Sequence, residues 1–187
     1  GPPGVLTGVS PIKPFGGTED VAWAADSESA FFAARQADRN EPTSTNIDVW
    51  HSMLDGKAPH SPTKANLGMD TLPSPSPDGK WLAWAAMARP GYEADRLVVQ
   101  VMNLETHERR ALTAGWDRSV GSIAWAPDSK SLIVTAEEVL DNPVFRIDLA
   151  SGAVTRLNQA PAPPDVIEFG SRTPSAQRAL MFRWFIG

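Results

Sequence analysis

With 187 residues, 17 Lys plus Arg against 22 Asp plus Glu and no cysteine, the chain carries a formal charge of -5 and excludes several classes of function. No basic run is long enough to track a phosphate backbone, no thiol is present for a disulfide, a thiolate metal site or a nucleophile, and no stretch approaches the roughly 18–20 apolar residues of a membrane span. Nucleic acid and membrane are not expected partners, the chain reads as soluble, and 17 Pro, 14 Gly and 7 Trp among short apolar runs read as all-β.

One segment recurs along the chain: Val21-Ala-Trp-Ala-Ala-Asp26-Ser-Glu, then Pro77-Asp78-Gly79-Lys80-Trp-Leu-Ala-Trp84, then Ile123-Ala-Trp-Ala-Pro127-Asp128-Ser-Lys. The aspartates are 52 and 50 residues apart, about the length of a four-stranded propeller blade with its loops. The expected fold is a partial β-propeller of about three four-stranded blades with partial flanking blades. In chain order, residues 1–19 read as the end of a preceding blade and a linker, 20–70 as blade 1, 71–119 as blade 2, 120–160 as blade 3, and 161–187 as a partial blade 4. Each Pro-Asp-Gly or Pro-Asp-Ser turn joins an inner strand to the next: proline presets φ, aspartate accepts from the backbone two residues on, and glycine tolerates positive φ.

Second strands are predicted over 30–34, 81–85 and 131–135, where nearly continuous apolar runs suit burial on both faces. Third strands are predicted over 47–54, 97–104 and 144–149, where apolar and polar residues alternate. Turns at Asp55-Gly56, 105–107 and Ser151-Gly152 lead to outer strands such as 110–113 and 154–157. A worn fourth copy of the motif begins at Pro174-Ser175. Trp23, Trp84 and Trp125 recur at or near matching places, as packing between blades requires.

Ser-Pro-Asp-Gly-Lys followed by an apolar strand is similar to the repeat shared by TolB-type propellers and peptidase propellers. Three further strings follow in successive blades: Glu41-Pro-Thr-Ser-Thr-Asn46-Ile-Asp48, then Met87-Ala-Arg-Pro-Gly-Tyr-Glu93-Ala-Asp95-Arg96, then Trp116-Asp117-Arg118-Ser-Val120. Together they resemble bacterial dipeptidyl- and acylaminoacyl-peptidase-like members of the prolyl oligopeptidase family of serine peptidases, over roughly residues 15–160. The resemblance implies a non-catalytic propeller that gates and orients short peptides for an α/β-hydrolase domain, whose serine lies in a Gly-x-Ser-x-Gly elbow. That pentapeptide is absent from this sequence, and Gly8-Val-Ser10 and Ser119-Val-Gly121 are half matches in loop contexts. No catalytic residue, cofactor or metal site is expected, and the chain alone is expected to be inactive.

Loops joining second to third strands gather on one rim of a propeller, and here they are acidic, with Asp38, Glu41, Glu93, Asp95, Glu137, Glu138 and Asp141. The substrate-contact candidates are Glu41, Asn46, Glu93, Asp95, Arg96, Trp116, Asp117 and Arg118, because a carboxylate rim attracts a peptide ammonium or a basic side chain. The competing reading, which has the edge, is that Arg89, Arg96 and Arg118 pair with these acids and hold the loops. Asp26, Pro77, Asp78, Gly79, Pro127 and Asp128 are assigned to the turns. His51, His60 and His107 fall in a strand, a Pro-rich loop and a turn, with no spacing that places two of them on one metal. Expected partners are the hydrolase domain, a peptide substrate and, through open strand edges, a second copy of the chain. The alternative function is a TolB-like propeller that binds a protein partner.

Overall fold

The computed structural model describes residues 8–10, 17–36, 44–91, 94–138 and 142–158. Twelve strands form three antiparallel sheets, with one 3-10 turn at Thr18–Asp20 and no α-helix among the described residues. The first sheet contains β1 (Gly8–Val9), β2 (Val21–Trp23), β3 (Ser29–Gln36) and β4 (Asp48–Met53). In the second, β5 (Asp70–Pro75), β6 (Trp81–Ala86), β7 (Val98–Asn103) and β8 (Arg109–Ala111) are laid down in sequence order. The third repeats that meander with β9 (Val120–Trp125), β10 (Ser131–Ala136), β11 (Val144–Asp148) and β12 (Val154–Arg156).

The turn chemistry is the same in all three copies. Asp26, Asp78 and Asp128 each accept, through Oδ1, the backbone N–H two residues on, from Glu28, Lys80 and Lys130 at 2.8, 3.1 and 3.0 Å. The following residue takes positive φ: +59° at Ser27, +70° at Gly79 and +56° at Ser129. Glycine adopts this conformation freely, whereas the two serines hold it at a steric cost. Pro77 and Pro127 stand just before the aspartates, where a fixed φ leads the chain into the turn.

A second repeated device is hidden in the sequence. An N–H at the start of each third strand is met by a side chain 14 residues downstream: Val49 N–H by Thr63 Oγ1 at 2.9 Å, Val99 N–H by Thr113 Oγ1 at 2.9 Å, and Val144 N–H by Asn158 Oδ1 at 2.7 Å. Thr63 and Thr113 are fully buried, so each hydroxyl satisfies a donor that would otherwise be lost to the interior.

Alternation along each second strand distributes side chains to the two junctions. Leu82, Trp84 and Ala86 of β6 pack with Phe31 and Val49 of the first sheet, while Ala83, with Val99 and Val101, packs against Leu132, Val134 and Ile147 of the third. Inner strands β2, β5 and β9 neighbour one another, so the sheets follow round a common side. The expected outer strand of the first sheet is reduced to one bridge, His51 to His60. Asn103 and Asp148 end the third strands of the other sheets and accept turn N–H groups, but the matching residue in β4 is Met53, which has no such acceptor. The predicted copy in 161–187 lies outside the described residues, as do Asp38, Glu41, Glu93 and Asp141.

Candidate functional site

On the rim formed by the loops after the second strands, Asn46, Asp95 and Arg96 are engaged in holding the backbone. Asp95 Oδ2 accepts from the N–H groups of Ala88 and Arg89 at 2.9 and 2.8 Å, and its Oδ1 lies 3.7 Å from Arg89 Nε. The Arg89 N–H is the foremost cause that keeps this carboxyl below its ordinary value of 3.8. Arg96 donates to the Ala114 carbonyl at 2.9 Å, tying its loop to the connection between the second and third sheets. Asn46, with its amide nitrogen turned toward Gly68 O at 3.0 Å and Asn66 O at 3.3 Å, fastens the corresponding place in the first sheet. Thr45 Oγ1 accepts from Gly91 N at 2.8 Å, joining adjacent loops.

Trp116, Asp117 and Arg118 are gathered against the third sheet. The Trp116 ring meets Phe145 edge-on at 4.8 Å, and the Arg118 guanidinium lies 5.4 Å from the Phe145 centroid. Glu138 bridges two cations, Arg118 and, at 2.9 Å, Arg156. Asp117 differs from its neighbours: its side chain is 88% exposed and lies 3.6 Å from Nε of the adjacent Arg118. Of the described candidates it is the carboxylate presented outward. Glu41 and Glu93 lie outside the described residues.

Two cavities line the junction between the first and second sheets, and neither was visible in the sequence. At the loop end, about 240 Å³ is bordered by Asn66, Asp70, Trp84, Met87, Gln100 and Arg109. Asp70 is 1% exposed and accepts through Oδ1 from Trp84 Nε1 at 2.8 Å and Asn66 Nδ2 at 3.1 Å, whereas its Oδ2 is shielded with no partner. Burial pushes this carboxyl up to about 7 against the pull of those two donors, and the nearby Asp48 adds to the rise. Asp48, itself buried, is also raised by desolvation, opposed by Lys64.

At the turn end lies a cleft of about 660 Å³ bordered by all three histidines of the chain. His51 stacks on Phe31 with centroids 4.3 Å apart, and His60 meets it edge-on at 5.1 Å. Burial, then the neighbouring His60, lowers the His51 pKa below 6.5, while Asp26 opposes them. Sequence spacing separated these residues because the bridge between His51 and His60 and the approach of the His107 turn are both tertiary. Among the described residues no group of three or more His, Cys, Asp or Glu is arranged to hold a metal.

No family model matches the chain. A dipeptidyl-peptidase 5 from Porphyromonas gingivalis is 34% identical over 151 residues, covering 80% of this chain and 22% of that protein. The chain is a relative of the dipeptidyl-peptidase 5 proteins. It spans about a fifth of the length of these curated relatives. Among solved structures, TolB from Agrobacterium tumefaciens superposes with a TM-score of 0.60 at 16% identity, over 75% of this chain and 46% of that one. Puromycin hydrolase gives a TM-score of 0.57 at 24% identity, over 83% of this chain and 25% of that one. These likenesses make the three sheets blades of an open β-propeller.

Proposed function

We propose that the chain is part of the non-catalytic propeller of a serine exopeptidase of the prolyl oligopeptidase family, where it gates and orients short peptides for an α/β-hydrolase domain. Propellers serve many unrelated functions, so the fold alone does not carry this reading. The observation that does is the 34% identity to a dipeptidyl-peptidase 5 over 80% of the chain. Within that reading the rim residues divide by what they touch. Asp95, Arg96 and Arg118 hold loops, with Asn46 beside them, whereas Asp117 is the exposed carboxylate available to the ammonium of an incoming peptide and Trp116 supports the loop that carries it.

The test is kinetic, on the longer enzyme that carries this chain. Asp117→Asn removes the charge and little else, so KM for dipeptidyl substrates is expected to rise several-fold with kcat unchanged. An unchanged KM refutes the assignment of Asp117, and a longer enzyme with no turnover of peptide substrates refutes the peptidase reading itself.

A further inference from the structure

Pro75 and Trp125 hold the same place in their sheets: Pro75 is the register partner of Leu82 and Trp125 that of Leu132. At the junction of the second and third sheets the indole fills the space between them, 7% exposed, and donates its N–H to the Ser74 carbonyl at 2.8 Å. At the junction of the first and second sheets a pyrrolidine ring stands there instead, and the cleft of about 660 Å³ opens in front of it. That volume lies within the range of ordinary small-molecule sites, roughly 300–1,000 Å³.

The lining suits a ring. Phe31, Pro75, Pro77, Met102 and Leu104 give apolar walls, and the His51 imidazole extends the Phe31 stack. Polar groups sit round them: His60, His107, Arg109, Asp26 and Asp78. One fixed cation against two carboxylates leaves little net charge to select a strong anion or cation, whereas both donors and acceptors are offered to a polar ring edge. Arg109 uses one guanidinium nitrogen on the Pro62 carbonyl, which fixes it at the cleft wall.

We propose that this cleft binds a neutral aromatic ring with one polar edge, an indole or a phenol, seated where the third sheet carries Trp125. The site is separate from the rim candidates, since it lies among the Asp26 and Asp78 turns and the His107 turn.

Indole itself is the probe, titrated into the full chain while the imidazole C–H signals of the three histidines are followed by NMR. Ligand efficiencies for a molecule of this size set the expected dissociation constant on the order of 1 mM. Saturable ring-current shifts of His60 and His107 are expected in the native chain. They should vanish in Pro75→Trp, where an indole built into β5 fills the cleft, and that variant should melt at a higher temperature than the native chain. Ala25→Trp, an exposed position on the facing wall, offers a second blocked variant if the first does not fold. No saturable shift at concentrations up to about tenfold above that constant, or shifts that persist in a folded blocked variant, overturns the proposal.

Discussion

The two junctions between sheets are built from one repeat and differ in character. Where the second junction has Val120 and Trp125 on β9, the first has Asp70 and Pro75 on β5, and the register partners, Ala136 and Leu132 against Ala86 and Leu82, match. The second is apolar at its centre: Val120, Trp125, Leu132 and Phe145 pack as one cluster with the indole N–H satisfied. The first keeps a smaller apolar cluster, a buried carboxylate at one end and a cleft at the other. The two strands differ at every position, and Asp70 and Pro75 are the two differences that supply the buried carboxylate and border the cleft.

Removing the indole is the hardest way to break that contrast. Trp125→Ala should cost about 3–5 kcal/mol in denaturant unfolding, from lost burial, a cavity and an unmet Ser74 carbonyl. Trp23 occupies the same position on β2, paired with Ala30, yet is 62% exposed, because no described sheet covers that face. Trp23→Ala should therefore stay within about 0.5 kcal/mol. Equal costs for the two substitutions would show that burial at the junction is not what distinguishes them.

The buried carboxylate gives the first junction a pH dependence. Asp70 has a folded pKa of about 7 against an ordinary 3.8, so the folded state prefers the protonated form. Its stabilising contribution is complete below the unfolded value and is lost as pH rises through about 7. Asp70→Asn keeps an acceptor for Trp84 and Asn66 and abolishes the charge. It should raise stability by about 1–3 kcal/mol at alkaline pH, with the gain shrinking toward zero near the unfolded pKa. A melting series across that range reads the slope, and a pH-independent difference would contradict the burial argument.

The smallest expected effect concerns the turns, which the two junctions share. Ser27→Gly relieves a positive φ at an exposed position and should stabilise the chain by about 0.5–1 kcal/mol in denaturant unfolding. Ser129→Gly would be a poorer test, since Ser129 Oγ also accepts from Asp78 N at 3.1 Å across the second junction.

The amino-acid sequence by itself determined the blades: the motif recurs about every 50 residues along the chain, and its turn aspartates and apolar second strands depend on residues within a few positions of one another, where turn chemistry and period-2 patterning act. Only the tertiary structure decided what those blades enclose. Thr63 and Thr113 find their partners 14 residues away, Asp70 is buried by the packing of Trp84 against the first sheet, and three histidines meet across a junction. The same is true of the rim, where Asp95 and Arg118 are spent on neighbouring backbone and on Glu138 while Asp117 is left outward. Local conformational preference is written in adjacent residues, but burial and charge environment come from whichever surface the next sheet happens to cover.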